Sequence, residues 1–363
     1  MSKKKFSFFL PFLLVIVAFA VMEIMLNGGA ITRSLKGQLV PICCWIVMAV
    51  SLNLVVGISG ELSLGHAGFM SVGAFAGTVA ATWLANAGIT SSPIRMILTL
   101  VVAGIMAGIM GFIIGVPVLR LKGDYLAIVT LAFGEIIRNL MNCIYISIDG
   151  TSLYFGFLDA NLPGTGIVNG PAASKLMVAV KDDLGNELVP GIKLATETGF
   201  IWGFILILFT LFVVQNLVHS RSGRAIMAIR DNRIAAETNG INVTKYRMMA
   251  FVTSAVLAGM AGALYGLNMT VDPAKFKFDQ SITVLVFVVL GGIGSMTGSI
   301  IAATVLTILP ETLRAFSDYR MLAYAIVLIV VMLLTNSTAV KNLVSTVTQK
   351  LRKEGKAPER VVK

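Results

Sequence analysis

Long apolar runs alternate with short polar segments along most of the chain, and this pattern predicts membrane-spanning helices. A helix needs roughly 20 mostly apolar residues to cross about 30 Å of hydrocarbon. Seven runs meet this requirement, and they cover residues 6–25, 39–58, 66–86, 96–119, 125–147, 200–218 and 248–267. A shorter run occupies 321–336. We therefore predict an all-α, polytopic membrane protein with about eight to ten transmembrane helices, some of them re-entrant or half-length.

Residues 282–309 are also apolar, but the glycine-rich stretch 291–299 divides them into two flanks of about half a span each. This pattern favours a re-entrant hairpin or two short helices, and a single kinked helix is the alternative. Broken backbone at membrane depth is tolerated where protein or a water-filled cavity surrounds it. Gly292, Gly294 and Gly298 are therefore candidates for residues that line or gate a pathway.

Composition and charge exclude a soluble protein and fix an expected topology. Hydrophobic residues make up 56% of the chain and charged residues 13%, against about 25% charged in soluble domains. The net charge of +11 resides in a few short segments between apolar runs, which is typical of membrane orientation and not of nucleic-acid binding. Lysine and arginine favour the cytoplasmic side, so we expect both termini there.

The same charge rule places the long connections. The 148–199 loop has six acidic and three basic residues and is expected outside. The 219–247 loop has six lysine and arginine residues and is expected inside, as is a basic tail at 341–363 that follows a permease-like domain over 1–340. Arg33 and Lys36 fall outside and count against this topology. The N-terminus resembles a signal peptide but lacks a small-x-small cleavage site, so a retained first helix is expected.

Several polar residues inside or beside apolar runs are candidates for function. Glu135 and Arg138 can pair at i, i+3 near the middle of the fifth run, and intramembrane charges by default indicate a functional site. Ser63, Gly65 and His66 open the third run. The alternative is a structural role for each, as a bridge between helices or a buried histidine with its hydrogen bonds satisfied.

Glycine and cysteine residues have simpler explanations. Glycines that recur on one helix face predict close helix packing, with helices that slide as the alternative. They are Gly104, Gly108, Gly111 and Gly115 at i, i+4, i+7 and i+11, and the pairs Gly73 and Gly77, and Gly262 and Gly266, at four-residue spacing. The three cysteines are Cys43, Cys44 and Cys143, and their odd number and spacing form neither a disulfide framework nor a metal site. We interpret them as small apolar side chains.

Enzymatic motifs are missing from the sequence. No GxxxxGK[ST] sequence occurs, so the chain has no P-loop, and no HExxH or zinc cluster occurs. The two histidines, His66 and His219, lie on different segments. A membrane-embedded enzyme, a bound metal and a bound cofactor are therefore not expected.

The basic loop 219–247 predicts a short amphipathic helix. Asp231 or Asn232 can cap a helix through 234–237 that ends at Asn239 and Gly240. Such a helix between long spans suits docking against a soluble partner. The alternative is a solvated, merely positive loop.

Four blocks in this sequence resemble the larger permease subunit of Liv-type branched-chain amino-acid ABC importers. The blocks are 60–68 (GELSLGHAG), 119–138 (LRLKGDYLAIVTLAFGEIIR), 222–240 (SGRAIMAIRDNRIAAETNG) and 290–298 (LGGIGSMTG). They stand in family order, and the resemblance reaches from residue 57 to about 315. The external segment 148–199 is longer than the family core needs and is a candidate docking surface or an inert insertion.

The resemblance implies a multi-pass subunit of the bacterial inner membrane. It implies a related second permease, two cytoplasmic ATPase subunits that bind ATP and Mg²⁺, and an extracytoplasmic substrate-binding protein. It also implies an ATPase-coupling role for one set of loop residues, which are Arg230, Asp231, Ile234, Ala235, Ala236, Glu237 and Gly240. Related permeases for urea or short amides, or for nucleosides or sugars, are alternatives. A stand-alone ion-coupled transporter is a further one.

Overall fold

The protein is described from a computed structural model that covers most of the chain. It describes residues 3–28, 32–89, 91–120, 125–149, 151–158, 162–172, 174, 180–181, 187–189, 196–313, 322, 325–326 and 329. Residues 1–308 form one compact unit and residues 309–363 a second. The predicted tail 341–363 and most of the predicted span 321–336 lie outside the described residues.

Eleven α-helices account for most of the described residues. Their bounds are α1 Lys3–Asn27, α2 Arg33–Asn53, α3 His66–Asn86, α4 Ser92–Val118, α5 Tyr125–Cys143, α6 Thr196–His219, α7 Arg221–Asp231, α8 Arg233–Thr238, α9 Val243–Asn268, α10 Phe278–Gly291 and α11 Met296–Thr312. A π-helical turn, Leu54–Ser59, continues α2, and a 3₁₀ turn, Pro273–Phe276, precedes α10.

Seven of these helices, α1 to α6 and α9, are long and apolar enough to cross a membrane. Each corresponds to one of the seven long runs, so the prediction of a polytopic helical membrane protein is confirmed. The fifth helix is shorter than predicted, because it ends at Cys143 and not at residue 147. Ile144, Ile146 and Ile148 alternate with polar or aromatic residues, which favours a strand over further helix.

A small antiparallel sheet follows α5, beginning at the end of the predicted fifth span and continuing into the predicted external segment. Strand β1 (Ile144–Asp149) lies between β2 (Ser152–Phe157) and β3 (Thr165–Asn169). Two short strands, β4 (Val180–Lys181) and β5 (Glu187–Val189), form a separate pair. The indole Nε1 of Trp83, near the end of α3, donates to the Thr151 carbonyl at 3.2 Å and ties the sheet to the helices. Residues 150, 159–161, 173, 175–179, 182–186 and 190–195 of this segment lie outside the described residues.

The core is a tight contact of α3, α4 and α9 through small residues. A Cβ on Gly73 would overlap the backbone of Gly259, and one on Gly262 would overlap the carbonyl of Met70. The α4 glycines at 104, 108, 111 and 115 all face α9 side chains. Close backbone approach is how membrane helices gain packing energy, so the prediction that these glycines serve packing is confirmed.

Residues 282–309 form parts of two separate helices, so the alternative of one kinked helix is wrong. At 1.5 Å per residue, α10 and α11 are about 21 and 26 Å long, shorter than the roughly 30 Å of a bilayer core. Gly292 (φ +92°) and Gly294 (φ +84°) make the turn between them, in a region of φ that side chains with a Cβ rarely adopt.

Candidate coupling elbow and broken-helix site

Residues 220–247, called here the elbow, fold as three helices joined by capped turns. Ser220, Asn232 and Asn242 each accept a hydrogen bond from the backbone N–H three residues on, at 3.0 to 3.1 Å. These are N-caps of α7, α8 and the elbow end of α9. The predicted short helix is therefore present as α8, and Asn232 caps it, not Asp231.

An apolar cluster makes the elbow a compact unit. Ile229 of α7, Ala236 of α8 and Val243 of α9 are buried together, with Ile241 and Tyr246 packed against them. The sequence placed Ala236 in the partner-contact set, but the structure places its side chain in this core. Helix α7 was not predicted, although Ser220 before it and the buried Ile226 and Ile229 at i, i+3 are the signals for it.

The outer side of α8 presents an apolar residue to solvent. Ile234 is 74% exposed, and Ala235, Glu237 and Gly240 are exposed around it. Glu237 pairs with Arg233 one turn earlier at 3.1 Å. An isolated exposed isoleucine is unremarkable by itself, but here it is carried on a capped helix that the apolar cluster holds in place.

Arg230, at the end of α7, connects the elbow to the end of the α2 span. Its Nη1 donates to the Gly57 carbonyl at 3.0 Å, and its Nη2 pairs with Asp231 Oδ1 at 3.0 Å. Gly60 lies under the Arg230 side chain, where a Cβ would be 2.6 Å from Cγ, and it has a φ of +74°. The sequence identified Arg230 but gave no indication of its partner 173 residues away.

Residues 60–65, called here the unwound segment, separate the π-helical turn from α3. Glu61 and Ser63 are buried and Leu62 is exposed, as in an extended chain whose alternate residues face opposite sides. Glu61 Oε1 lies 2.6 Å from Arg247 Nε, with the two side chains 4% and 15% exposed. Burial raises the pKa of Glu61 above its usual value, and the charges of Arg247 and Arg233 partly offset that shift.

Side chains from three neighbouring helices satisfy the polar groups where α3 begins. The Leu64 N–H donates to Thr130 Oγ1 of α5, and the Ala67 N–H donates to Ser281 Oγ of α10, both at 3.0 Å. His66 Nε2 lies 2.9 Å from Ser51 Oγ of α2 and is buried. These contacts support the structural alternative for His66. Gly65 packs directly on the Thr130 carbonyl, where a Cβ would overlap it.

Asn53 joins α2 to the turn between α10 and α11. The fully buried side chain accepts from the Gly294 N–H at 2.9 Å and donates to Ser299 Oγ at 3.1 Å. The backbones of Gly57 and Gly294 touch, and so do those of Gly291 and Gly298. The glycine-rich break is thus fixed against the end of the α2 span, through an asparagine that sequence reasoning missed inside an apolar run.

The predicted pair on α5 is present and extends to α10. Arg138 Nε donates to Glu135 Oε2 at 2.7 Å. The other carboxylate oxygen, Glu135 Oε1, accepts the Phe278 N–H at 3.0 Å. This N–H is the first of α10, where a carboxylate also interacts favourably with the helix dipole. Among the described residues, this pair makes no hydrogen bond or ion pair with the elbow.

The remaining features of the described part of the chain offer no metal or polar ligand site. No group of three or more histidine, cysteine, aspartate or glutamate side chains there could hold a metal ion. A half-open cavity of about 310 Å³ lies between α1, α2, α6 and α11, and Thr304 is its one polar lining residue. The Thr304 hydroxyl already donates to the Ile300 carbonyl. The described cysteines are free, and Cys43 and Cys44 are buried.

Comparison with known proteins indicates the protein class. The family model described as "Branched-chain amino acid transport system / permease component" matches residues 35–335. The chain is 34% identical over 295 residues to the high-affinity branched-chain amino acid transport system permease protein LivM of Escherichia coli K12, covering 80% of this chain and 66% of that protein. That coverage is just under two thirds of the relative's length. No solved structure matches the chain.

Two further relatives extend the comparison. A probable LivM of Methanocaldococcus jannaschii is 26% identical over 282 residues, 70% of this chain and 74% of that protein. The permease protein LivH of Escherichia coli K12 is 28% identical over 145 residues, 39% of this chain and 47% of that protein. The similarity therefore includes two different permease proteins of one bacterial transport system.

Proposed function

The chain belongs to the branched-chain amino acid transport system permease family, and we propose that it is the membrane permease subunit of an ATP-driven importer for branched-chain or related amino acids. It is a multi-pass protein of the bacterial inner membrane and a transport subunit. Because the sequence has no P-loop, ATP and Mg²⁺ are bound by partner ATPase subunits in this proposal, and this chain holds no cofactor.

Helix α8 of the elbow, with Gly240 just after it, is the proposed contact with an ATPase subunit. The observation that carries this proposal is the capped helix α8, which presents exposed Ile234 on a body fixed by its own apolar cluster. A short helix with an apolar residue in a basic surround suits insertion into a groove of a soluble partner. Ala235, Glu237 and Gly240 belong to the contact surface, whereas Ala236 supports it from inside. Arg230 and Asp231 are the last two residues of α7, the helix that directly precedes α8.

The unwound segment and the α10–α11 turn are the proposed pathway elements. Non-helical backbone inside a membrane protein is tolerated where it is buried in protein or lines a cavity. The unwound segment is partly buried between the spans of α2 and α3, and the α10–α11 turn divides an apolar stretch. Ser63, Gly65 and His66 lie in or beside the first, and Gly292, Gly294 and Gly298 in the second. Glu135 accepts the first N–H of α10 and pairs with Arg138. The two side chains thus carry one negative and one positive charge, as a zwitterionic amino acid does.

The proposed assembly has a related second permease, two ATPase subunits and an extracytoplasmic binding protein. The similarity to both LivM and LivH supports a pair of different permease chains. The small sheet formed by β1 to β3 is the proposed surface for the binding protein, because β2 and β3 lie within the external segment predicted from charge.

Reconstitution of the complete importer in proteoliposomes tests this function. We expect uptake that requires ATP and the binding protein, and we expect Glu237→Lys or Gly240→Pro to abolish stimulation of the ATPase by loaded binding protein. Uptake by this chain alone under a proton or sodium gradient would show a secondary transporter instead. Calorimetry on the binding protein with amino acids, urea, nucleosides and sugars identifies the substrate class.

A further inference from the structure

The elbow holds the unwound segment by two arginines that come from different helices. Arg230 of α7 donates to the Gly57 carbonyl just before the segment, and Arg247 of α9 pairs with Glu61 inside it. The two attachment points, residues 57 and 61, are four residues apart and flank Gly60, which also lies against Arg230. Any displacement of the elbow therefore acts directly on this short stretch of backbone.

Few other polar contacts hold the buried face of the unwound segment. The hydroxyls of Ser59 and Ser63 are buried and have no hydrogen-bond partner among the described residues. Buried polar groups without partners are costly and unusual. Glu61 and Arg247 approach to 2.6 Å without the geometry of a hydrogen bond, so their contact is an ion pair, and it is the ion pair of this face in the described part of the chain.

The same stretch of backbone is in contact with the broken helix pair. Gly57 touches the Gly294 backbone, and the Gly294 N–H is held by Asn53. At the far end of the segment, Leu64 and Ala67 are held by α5 and α10. The apolar cluster joins Ala236 of α8 to α7 and α9, the helices that carry Arg230 and Arg247. From Arg230, direct contacts lead through Gly57 to the turn between α10 and α11.

We propose that the Glu61–Arg247 pair is a coupling latch, which transmits movement of the elbow to the unwound segment and, through Gly57 and Gly294, to the turn between α10 and α11. This inference rests on the proposed function. Glu61 and Arg247 are positioning residues that contact neither ATP nor substrate. Loss of the pair leaves the elbow able to bind the ATPase but weakens its connection to the helix break, because the contact of Arg230 with the Gly57 carbonyl then remains without the ion pair beside it.

Charge removal and charge exchange in the complete importer test the latch. We expect Glu61→Gln and Arg247→Gln each to reduce the substrate transported per ATP hydrolysed by about tenfold, within the usual range of coupling between sites. The double exchange Glu61→Arg with Arg247→Glu restores a pair of opposite charges, and we expect it to recover a large part of the ratio. A purely structural role would instead lower transport and hydrolysis together.

Lys245→Gln is the matched control, because Lys245 lies on the same helix two residues from Arg247 and is exposed. We expect it to leave the ratio unchanged. The amount of assembled complex is measured by size-exclusion chromatography, so that misfolded variants are recognised. If a single variant fails to assemble, the charge-exchange variant still tests whether the pair of opposite charges is needed. Unchanged ratios in both single variants would overturn the latch, as would an assembled exchange variant without recovery. Absence of ATP-driven uptake in the wild-type importer would instead overturn the proposed function.

Discussion

Replacement of Asn53 by alanine tests how firmly the α10–α11 turn is fixed to α2. The substitution removes the acceptor of the Gly294 N–H and the donor to Ser299 Oγ. Ser299 keeps its own donation to the Ser295 carbonyl at 3.0 Å. The main loss therefore falls on the Gly294 N–H, which no longer has a side chain to accept it.

The magnitude follows from the two hydrogen bonds. A buried donor left without a partner costs about 1–3 kcal/mol, and side-chain hydrogen bonds between membrane helices average about 0.6 kcal/mol with a maximum near 1.7. Gly294 is only half-buried, which lowers the free-energy cost of leaving its N–H without an acceptor. We expect Asn53→Ala to reduce the free energy of unfolding by about 1.5–3 kcal/mol, a roughly 10- to 150-fold change in the unfolding equilibrium.

The buried thiols of α2 provide the assay. Cys43 and Cys44 are buried and free, so a thiol-reactive dye labels them when the helix bundle opens in mixed micelles containing a denaturing detergent. A Cys143→Ser background removes the half-buried third thiol. The labelled fraction against detergent fraction gives the free energy of unfolding for each variant.

Thr210→Val is the control for Asn53→Ala. Thr210 is fully buried, but its hydroxyl donates to the Leu206 carbonyl within its own helix, at 2.8 Å. Its loss should cost less than about 0.5 kcal/mol, because such bonds add little to a helix. If Asn53→Ala costs no more than Thr210→Val, the assignment of Asn53 as the attachment of the turn is wrong.

Two further predictions use the same labelling assay. Gly73→Ala places a methyl group on the Gly259 backbone and should lower the free energy of unfolding by about 1–3 kcal/mol. The control is Gly37→Ala, whose new Cβ has nothing within 4 Å; this substitution should raise the free energy of unfolding by about 0.5–1 kcal/mol. Equal effects of the two substitutions would contradict the packing assignment. Burial raises the pKa of Glu61 above its usual 4.5, so its protonated form favours folding and this stability is lost as pH rises through the raised pKa. Glu61→Gln should flatten that fall, and an unchanged pH profile would refute the shift.

The sequence was sufficient for features that depend on local patterns. Runs of about 20 apolar residues located the seven long helices, and the glycine-rich stretch located the break at Gly292 and Gly294. The i, i+3 spacing correctly paired Glu135 with Arg138. Asn232, Asn239 and Gly240 correctly bounded α8, because caps act within one turn.

The features that the sequence did not reveal depend on contacts between distant residues. Glu61 and Arg247 are 186 residues apart, and Asn53 and Ser299 are 246 apart. No periodicity within either segment indicates such pairings. The resemblance implies an ATPase-coupling role for Ala236, but nothing in the sequence shows that its side chain packs against Ile229 and Val243.

The contact of α3 with α9 has a mechanical consequence. Its two surfaces meet backbone to backbone at Gly73 and Gly259, so at this point no side chain lies between the helices that could change rotamer when one of them is pushed. A contact between two backbones is stiff, because a backbone within a helix deforms less easily than a flexible side chain. Because α9 carries Arg247 near its elbow end, a force on the elbow would move α9 and α3 as one piece, with little of the displacement absorbed in between.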